Sequence, residues 1–117
     1  MNNTHLILAG AAAFVLIVAW RRFRGGITVN EIKDIKAKGA LLLDVRTPGE
    51  FSQGHAPGSV NIPLDQLGTR LGELDRKKPI LVACASGVRS ASAKALLEQS
   101  GFEDVHNAGP WQRLMQD

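Results

Sequence analysis

Hydrophobic and polar positions follow several rhythms along this chain. The first block is residues 6–20, LILAGAAAFVLIVAW, fifteen residues without a charge. It is apolar on every face, unlike a helix that covers one side of a soluble core. At about 1.5 Å per residue it spans roughly 22 Å of a ~30 Å hydrocarbon core. Thr4, Phe23 and snorkelling arginines bring it close to spanning length. Trp20 suits an interface, and Arg21, Arg22 and Arg24 follow directly. A cleaved leader carries charge before its apolar run and small residues after it. Here no Lys or Arg precedes the run. The pattern predicts one uncleaved transmembrane helix within residues 1–24, its basic flank on the cytoplasmic side.

Beyond the hinge Gly25-Gly26 the rhythm shortens. Ile27-Thr28-Val29 reads as a short strand or the entry to a helix. Residues 30–38 interleave charges with Ile32 and Ile35, an amphipathic helix stopped by Gly39. Residues 40–45, ALLLDV, form a continuous apolar run that carries Asp44 near its end, a strand buried on both faces. Residues 48–53 predict a helical turn with Pro48 near its start. A loop over 54–58 and a brief strand over 59–62 follow. Residues 64–74 predict a helix interrupted by Gly68 and Gly72, with Leu64, Leu67, Leu71 and Leu74 on one face. Pro79-Ile80-Leu81-Val82-Ala83 is a second buried strand, residues 91–100 a helix ended by Gly101, 103–106 a last strand and 111–115 a short closing helix. Strands alternating with helices predict an α/β fold, a parallel sheet with helices on both faces.

Composition adds bounds rather than chemistry. At 117 residues there is room for one globular domain, residues 25–117, after the apolar segment. The net charge of +3 is local: without Arg21, Arg22 and Arg24, 11 basic residues face 11 acidic ones. That balance argues against nucleic-acid binding, which needs a basic stripe across the fold. The single cysteine rules out an internal disulfide, and His5, His55 and His106 are scattered, so no metal cluster is expected.

The candidate chemistry sits in Cys84-Ala85-Ser86-Gly87-Val88-Arg89-Ser90. Cys84 falls where a buried strand ends, a tight loop turns and a helix begins, the place where open α/β sheets bind ligands. Loop N–H groups, the positive helix start and Arg89 all favour thiolate over thiol, which marks Cys84 as a nucleophile. Gly87 can take the unusual φ that Val88 cannot. Asp44, at the end of a neighbouring strand, is a supporting candidate, read mainly as an acceptor that holds the following loop. Arg46 and Glu50, four apart, are read as a scaffold pair, His55 as a turn residue and His106 as packing or surface.

The stretch Leu43-Asp44-Val45-Arg46-Thr47-Pro48-Gly49-Glu50-Phe51, then Gly54-His55-Ala56-Pro57-Gly58-Ser59-Val60-Asn61-Ile62-Pro63, and the cysteine loop after them, resemble the single-domain rhodanese-like sulfurtransferases. The resemblance runs from about Ile27 to the C-terminus. It implies an open five-stranded parallel sheet. It also implies that Cys84 accepts a sulfane sulfur as a persulfide cradled by the amides of Ala85, Ser86, Gly87, Val88 and Arg89. A small anionic donor such as thiosulfate and a thiol or cyanide acceptor follow as substrates, with no cofactor. Trp111 departs from the longer closing helix common in the family.

Two rival readings accompany this one: a rhodanese-fold module that holds a membrane-protein partner with weak activity, and a phosphatase or arsenate reductase on the same scaffold. Only four residues separate Cys84 from Arg89, against five in cysteine phosphatases. The shorter loop favours one added sulfur over a phosphoryl group. With the anchor, the expectation is a single-pass protein of the inner membrane whose domain faces the cytoplasm.

Overall fold

The computed structural model describes residues 26–116, and the apolar segment 6–20 with its predicted membrane span lies outside them. Among the described residues no helix is long and apolar enough to cross a membrane.

The two continuous apolar runs become the centre of the sheet. Strands β1 (Leu41–Asp44), β2 (Val60–Asn61), β3 (Ile80–Cys84) and β4 (Val105–Pro110) lie in the order β2-β1-β3-β4, all parallel. The register pairs Leu41 with Ile80 and Ile80 with Val105. Period-two alternation then divides the interior in two. Leu43, Ile80, Val82 and Cys84 face one cluster with Leu67, Ala93, Leu97 and Phe102, while Leu42, Leu81 and Ala83 face the other with Ile32, Ala108 and Leu114. Each fully buried Leu or Ile contributes roughly 1.5–3 kcal/mol of transfer free energy.

Among the described residues, four helices and two 3-10 turns cover these faces. Helix α1 (Val29–Ala37) and the turn Trp111–Met115 supply Ile32 and Leu114 to the second cluster, and α2 (Pro48–Gln53) follows β1. Helix α3 (Leu64–Leu67), the turn Leu71–Glu73 and α4 (Val88–Gln99) supply Leu67, Leu71 and Leu97 to the first. The chain steps outward from β1 to β2, then back across β1 to β3. The strand order therefore reverses between β1 and β3, and the carboxyl ends of those strands form the switch point.

Four strands, not five, form among the described residues. Ile27-Thr28-Val29 is a helix entry. Thr28 caps α1 through a reciprocal capping box with Glu31, which commits its neighbours to the helix. The helix predicted over 64–74 divides into α3 and a separate 3-10 turn, broken at Gly68. The last strand runs past His106 because a register shift opposite Val82/Ala83 admits one extra residue. Helix α4 starts at Val88, three residues earlier than expected, since Gly87 makes the whole turn with φ +105°.

Candidate functional site

Cys84 is the last residue of β3, 0% exposed, at the switch point. Gly87 reverses the chain over it, and α4 begins at once with Gly87 as its N-cap and no side chain on its first amides. Those amides meet the sulfur instead. The Gly87 N–H donates to Sγ at 2.9 Å and the Ser90 N–H at 3.4 Å, with the Ser90 hydroxyl 3.4 Å away. Burial pushes the Cys84 thiol up, but the Ser90 hydroxyl and the amides of Ser90, Gly87 and Ser86 outweigh it and hold the thiol below its ordinary value. The turn is tight: a Cβ on Gly87 would lie 3.4 Å from the Gly109 Cα. Val88, which keeps a negative φ, stands 73% exposed at the rim.

Beneath the loop lies a polar network that sequence reasoning missed. The Ser90 hydroxyl donates to Asn107 Oδ1 at 2.6 Å, and the Gly109 N–H donates to the same oxygen at 2.9 Å. Asn107 Nδ2 donates back to the Gly87 carbonyl at 3.1 Å. Ser90 and Asn107 are both buried. The signal available was period two: once β4 continues past His106, Asn107 shares a face with Val105, and a buried amide there must find partners.

Arg89 is committed to Glu50. Its guanidinium grips Glu50 in two parallel bonds of 2.7 and 2.9 Å, with both side chains about a third exposed. Arg89 and Thr47 hold the Glu50 carboxyl at about 2, down from the ordinary 4.5. Glu50 in turn holds Arg89 above its usual value against burial, with smaller effects from the Cys84 and Asp44 anions. Thr47 caps α2 and Glu50 closes its capping box, so one carboxylate ties the α2 entry to the start of α4.

The expected Arg46–Glu50 side-chain pair does not form. Arg46 turns inward to Asp44, with Nη2–Oδ2 at 2.8 Å and Nε 3.0 Å from each carboxylate oxygen. It also donates to the Gly54 carbonyl at 2.7 Å and the Glu50 carbonyl at 3.3 Å, with Trp111 stacked 4.7 Å from its guanidinium carbon. Asp44 accepts the Arg46 N–H at 2.9 Å, as read from the sequence. His55 stacks on Phe51 at 3.8 Å and binds the Phe51 carbonyl, and His106 pairs with Asp104 away from the sulfur. The structure thus brings the Gly87 and Ser90 amides and the Ser90 hydroxyl to Cys84, leaves the Arg89 side chain on Glu50, and pairs Asp44 with Arg46.

Residues 28–108 match the family of the Rhodanese-like domain. A Bacillus subtilis protein, uncharacterized protein YqhL, is 34% identical over 111 residues, covering 92% of this chain and 87% of its own. The thiosulfate sulfurtransferase GlpE of Pseudomonas syringae is 36% identical over 81 residues, covering 69% of this chain and 76% of that protein. The solved structure of a rhodanese with anions from E. coli superposes with a TM-score of 0.62 at 31% identity, covering 67% of this chain and 94% of the other.

Proposed function

The chain belongs to the rhodanese-like domain family, and from that premise we propose that it is a thiosulfate-type sulfurtransferase working through a persulfide on Cys84. The observation that carries the reading is the convergence of the Gly87 and Ser90 amides on a buried sulfur. Relatives named thiosulfate sulfurtransferases, such as the Pseudomonas syringae protein, support it.

The cycle has two displacements. The Cys84 thiolate attacks the outer sulfur of thiosulfate, a Cys84 S–S bond forms, the donor's S–S bond breaks, and sulfite leaves with the electron pair. An acceptor, a thiolate or cyanide, then attacks the outer sulfur and the Cys84 thiolate leaves in turn. Both steps place negative charge on sulfur inside the loop, where fixed N–H dipoles stabilise it without reorganisation. Arg89 presents its charge at the rim, and the loop from Ala85 to Arg89 encloses the added atom. The spacing of Cys84 and Arg89 favours a single sulfur over a phosphoryl group, which needs three oxygens held around it.

Initial rates with thiosulfate and cyanide test the reading. Two displacements predict parallel double-reciprocal lines and loss of turnover in Cys84→Ser. Intersecting lines, or a Cys84→Ser variant that still turns over, contradict it.

The same proposal places residues 6–20 in the inner membrane as a single-pass anchor with the domain in the cytoplasm, on the strength of Arg21, Arg22 and Arg24 after the apolar run. A reducing cytosol keeps the thiol available. Protease added to sealed spheroplasts is expected to spare the domain; its digestion from outside overturns the orientation.

A further inference from the structure

Ser90 has one hydroxyl proton and two acceptors to serve. Its Oγ lies 2.6 Å from Asn107 Oδ1 and 3.4 Å from Cys84 Sγ. The orientation of the Asn107 amide is forced from both sides, because the Gly109 N–H can only donate to Oδ1 and the Gly87 carbonyl can only accept from Nδ2. An amide oxygen cannot donate, so the Ser90 proton lies on the bond to Asn107. Toward sulfur, Ser90 then offers lone pairs. That suits the thiol, whose S–H donates to Oγ. It does not suit the thiolate, which has no proton to give. On ionisation the hydroxyl must rotate to the sulfur and abandon the shorter bond, or else two acceptors face each other in a buried site.

We propose that Asn107 is a positioning residue that competes with the Cys84 sulfur for the single proton of Ser90, and so sets both how readily the thiol ionises and how nucleophilic its anion is. The charged groups around the loop leave this competition intact, since each is engaged elsewhere. Asp44 pairs with Arg46 at the end of β1, and Glu50 from α2 pairs with Arg89 from α4. Arg113 from the closing turn donates to the Ala108 and Ile27 carbonyls. From α1, Lys36 donates to the Leu114 and Gln116 carbonyls. On β4, His106 is paired with Asp104.

The inference rests on the sulfur-transfer reading only in its kinetic part. Ser90 still lowers the thiol pKa, but a thiolate that receives its proton only against the pull of Asn107 is the more basic and more nucleophilic anion, with reactivity changing by about threefold per unit of thiol pKa. Asn107 thus gives up some thiolate population for reactivity in the thiolate that forms.

Thiolate absorbance against pH, on the full chain and without any donor, tests the ionisation. Asn107→Leu frees the Ser90 hydroxyl for the anion and is expected to lower the thiol pKa by about one unit, one neutral hydrogen bond gained. In a Ser90→Ala background the same substitution is expected to leave the titration where Ser90→Ala put it. An upward or absent shift, or an equal shift in both backgrounds, overturns the proposal. A loop merely loosened by Asn107→Leu gives one of those results. If Asn107→Leu does not fold, the unmodified protein decides. The NMR resonance of the Asn107 side-chain carbonyl carbon should move at the thiol's own pKa and hold still in Cys84→Ala. A resonance that does not follow the thiol overturns the proposal. With thiosulfate, the pH-independent rate of sulfur loading in Asn107→Leu should fall about threefold. If Cys84 takes up no sulfur at all, the transfer reading fails while the titration still stands or falls by itself.

Discussion

Replacing Arg46 with alanine should destabilise the domain more than any surface substitution. Its side chain is 5% exposed and that of Asp44 1%. Arg46 gives the carboxylate three side-chain hydrogen bonds between 2.8 and 3.0 Å, and the variant keeps only the backbone bond to it. The carbonyls of Gly54 and Glu50 also lose donors, and Trp111 loses its cation partner. Breaking a buried pair by removing one member costs about 3–5 kcal/mol, because the other charge stays buried and alone. Against a total of roughly 5–15 kcal/mol this is a large fraction. At roughly 4–8 °C per kcal/mol for a domain of this size, Tm should fall by more than about 10 °C. Urea unfolding of the wild type, Arg46→Ala, Asp44→Asn and the double variant measures the cost. The double variant should recover part of the loss, with a coupling of about 1 kcal/mol or more. A loss below about 1 kcal/mol for Arg46→Ala, with an unchanged urea slope, would place the pair among exposed ion pairs that add little. Asp44→Asn should still load sulfur in its folded fraction, as expected of a frame residue.

Two further outcomes follow from the rim and the turn. Glu50 has a folded pKa of about 2 against an ordinary 4.5, so its contribution is complete above 4.5 and lost as pH falls through about 2; acid unfolding of wild type and Glu50→Gln should therefore show a stability gap that closes over that window, and a gap constant with pH argues against the pair. Gly87→Ala places a side chain at φ +105° against the Gly109 Cα, which should cost about 1–2 kcal/mol in urea and, by turning the Gly87 N–H from the sulfur, raise the thiol pKa read by thiolate absorbance; an unchanged titration would separate that amide from thiol acidity.

The buried strands and the cysteine loop were legible because their signals are local. Ala40 to Leu43 and Ile80 to Ala83 are unbroken apolar runs, and Gly87 marks the turn of the cysteine loop, with φ +105°. The misreadings come from geometry that spacing alone does not carry. The four-residue interval from Arg46 to Glu50 implies contact only within a helix, and Arg46 precedes the Thr47 cap, so it is free to turn inward. Thr28 and Glu31 carry the same three-residue capping signature as Thr47 and Glu50, and it decides for a helix start where spacing alone allowed a short strand or a helix entry. Gly109 and Pro110 look like strand breakers, yet the register shift in β4 accommodates them and carries Asn107 into the core. The Arg89–Glu50 clamp joins residues 39 apart, a distance no local pattern spans.

The most direct measurement is the intact mass of the protein after exposure to thiosulfate and again after cyanide. A gain of one sulfur atom is expected, located on Cys84 by peptide mapping, absent in Cys84→Ser and removed by cyanide with release of thiocyanate. Folded protein whose Cys84 gains no sulfur, or a gain that persists in Cys84→Ser, contradicts it.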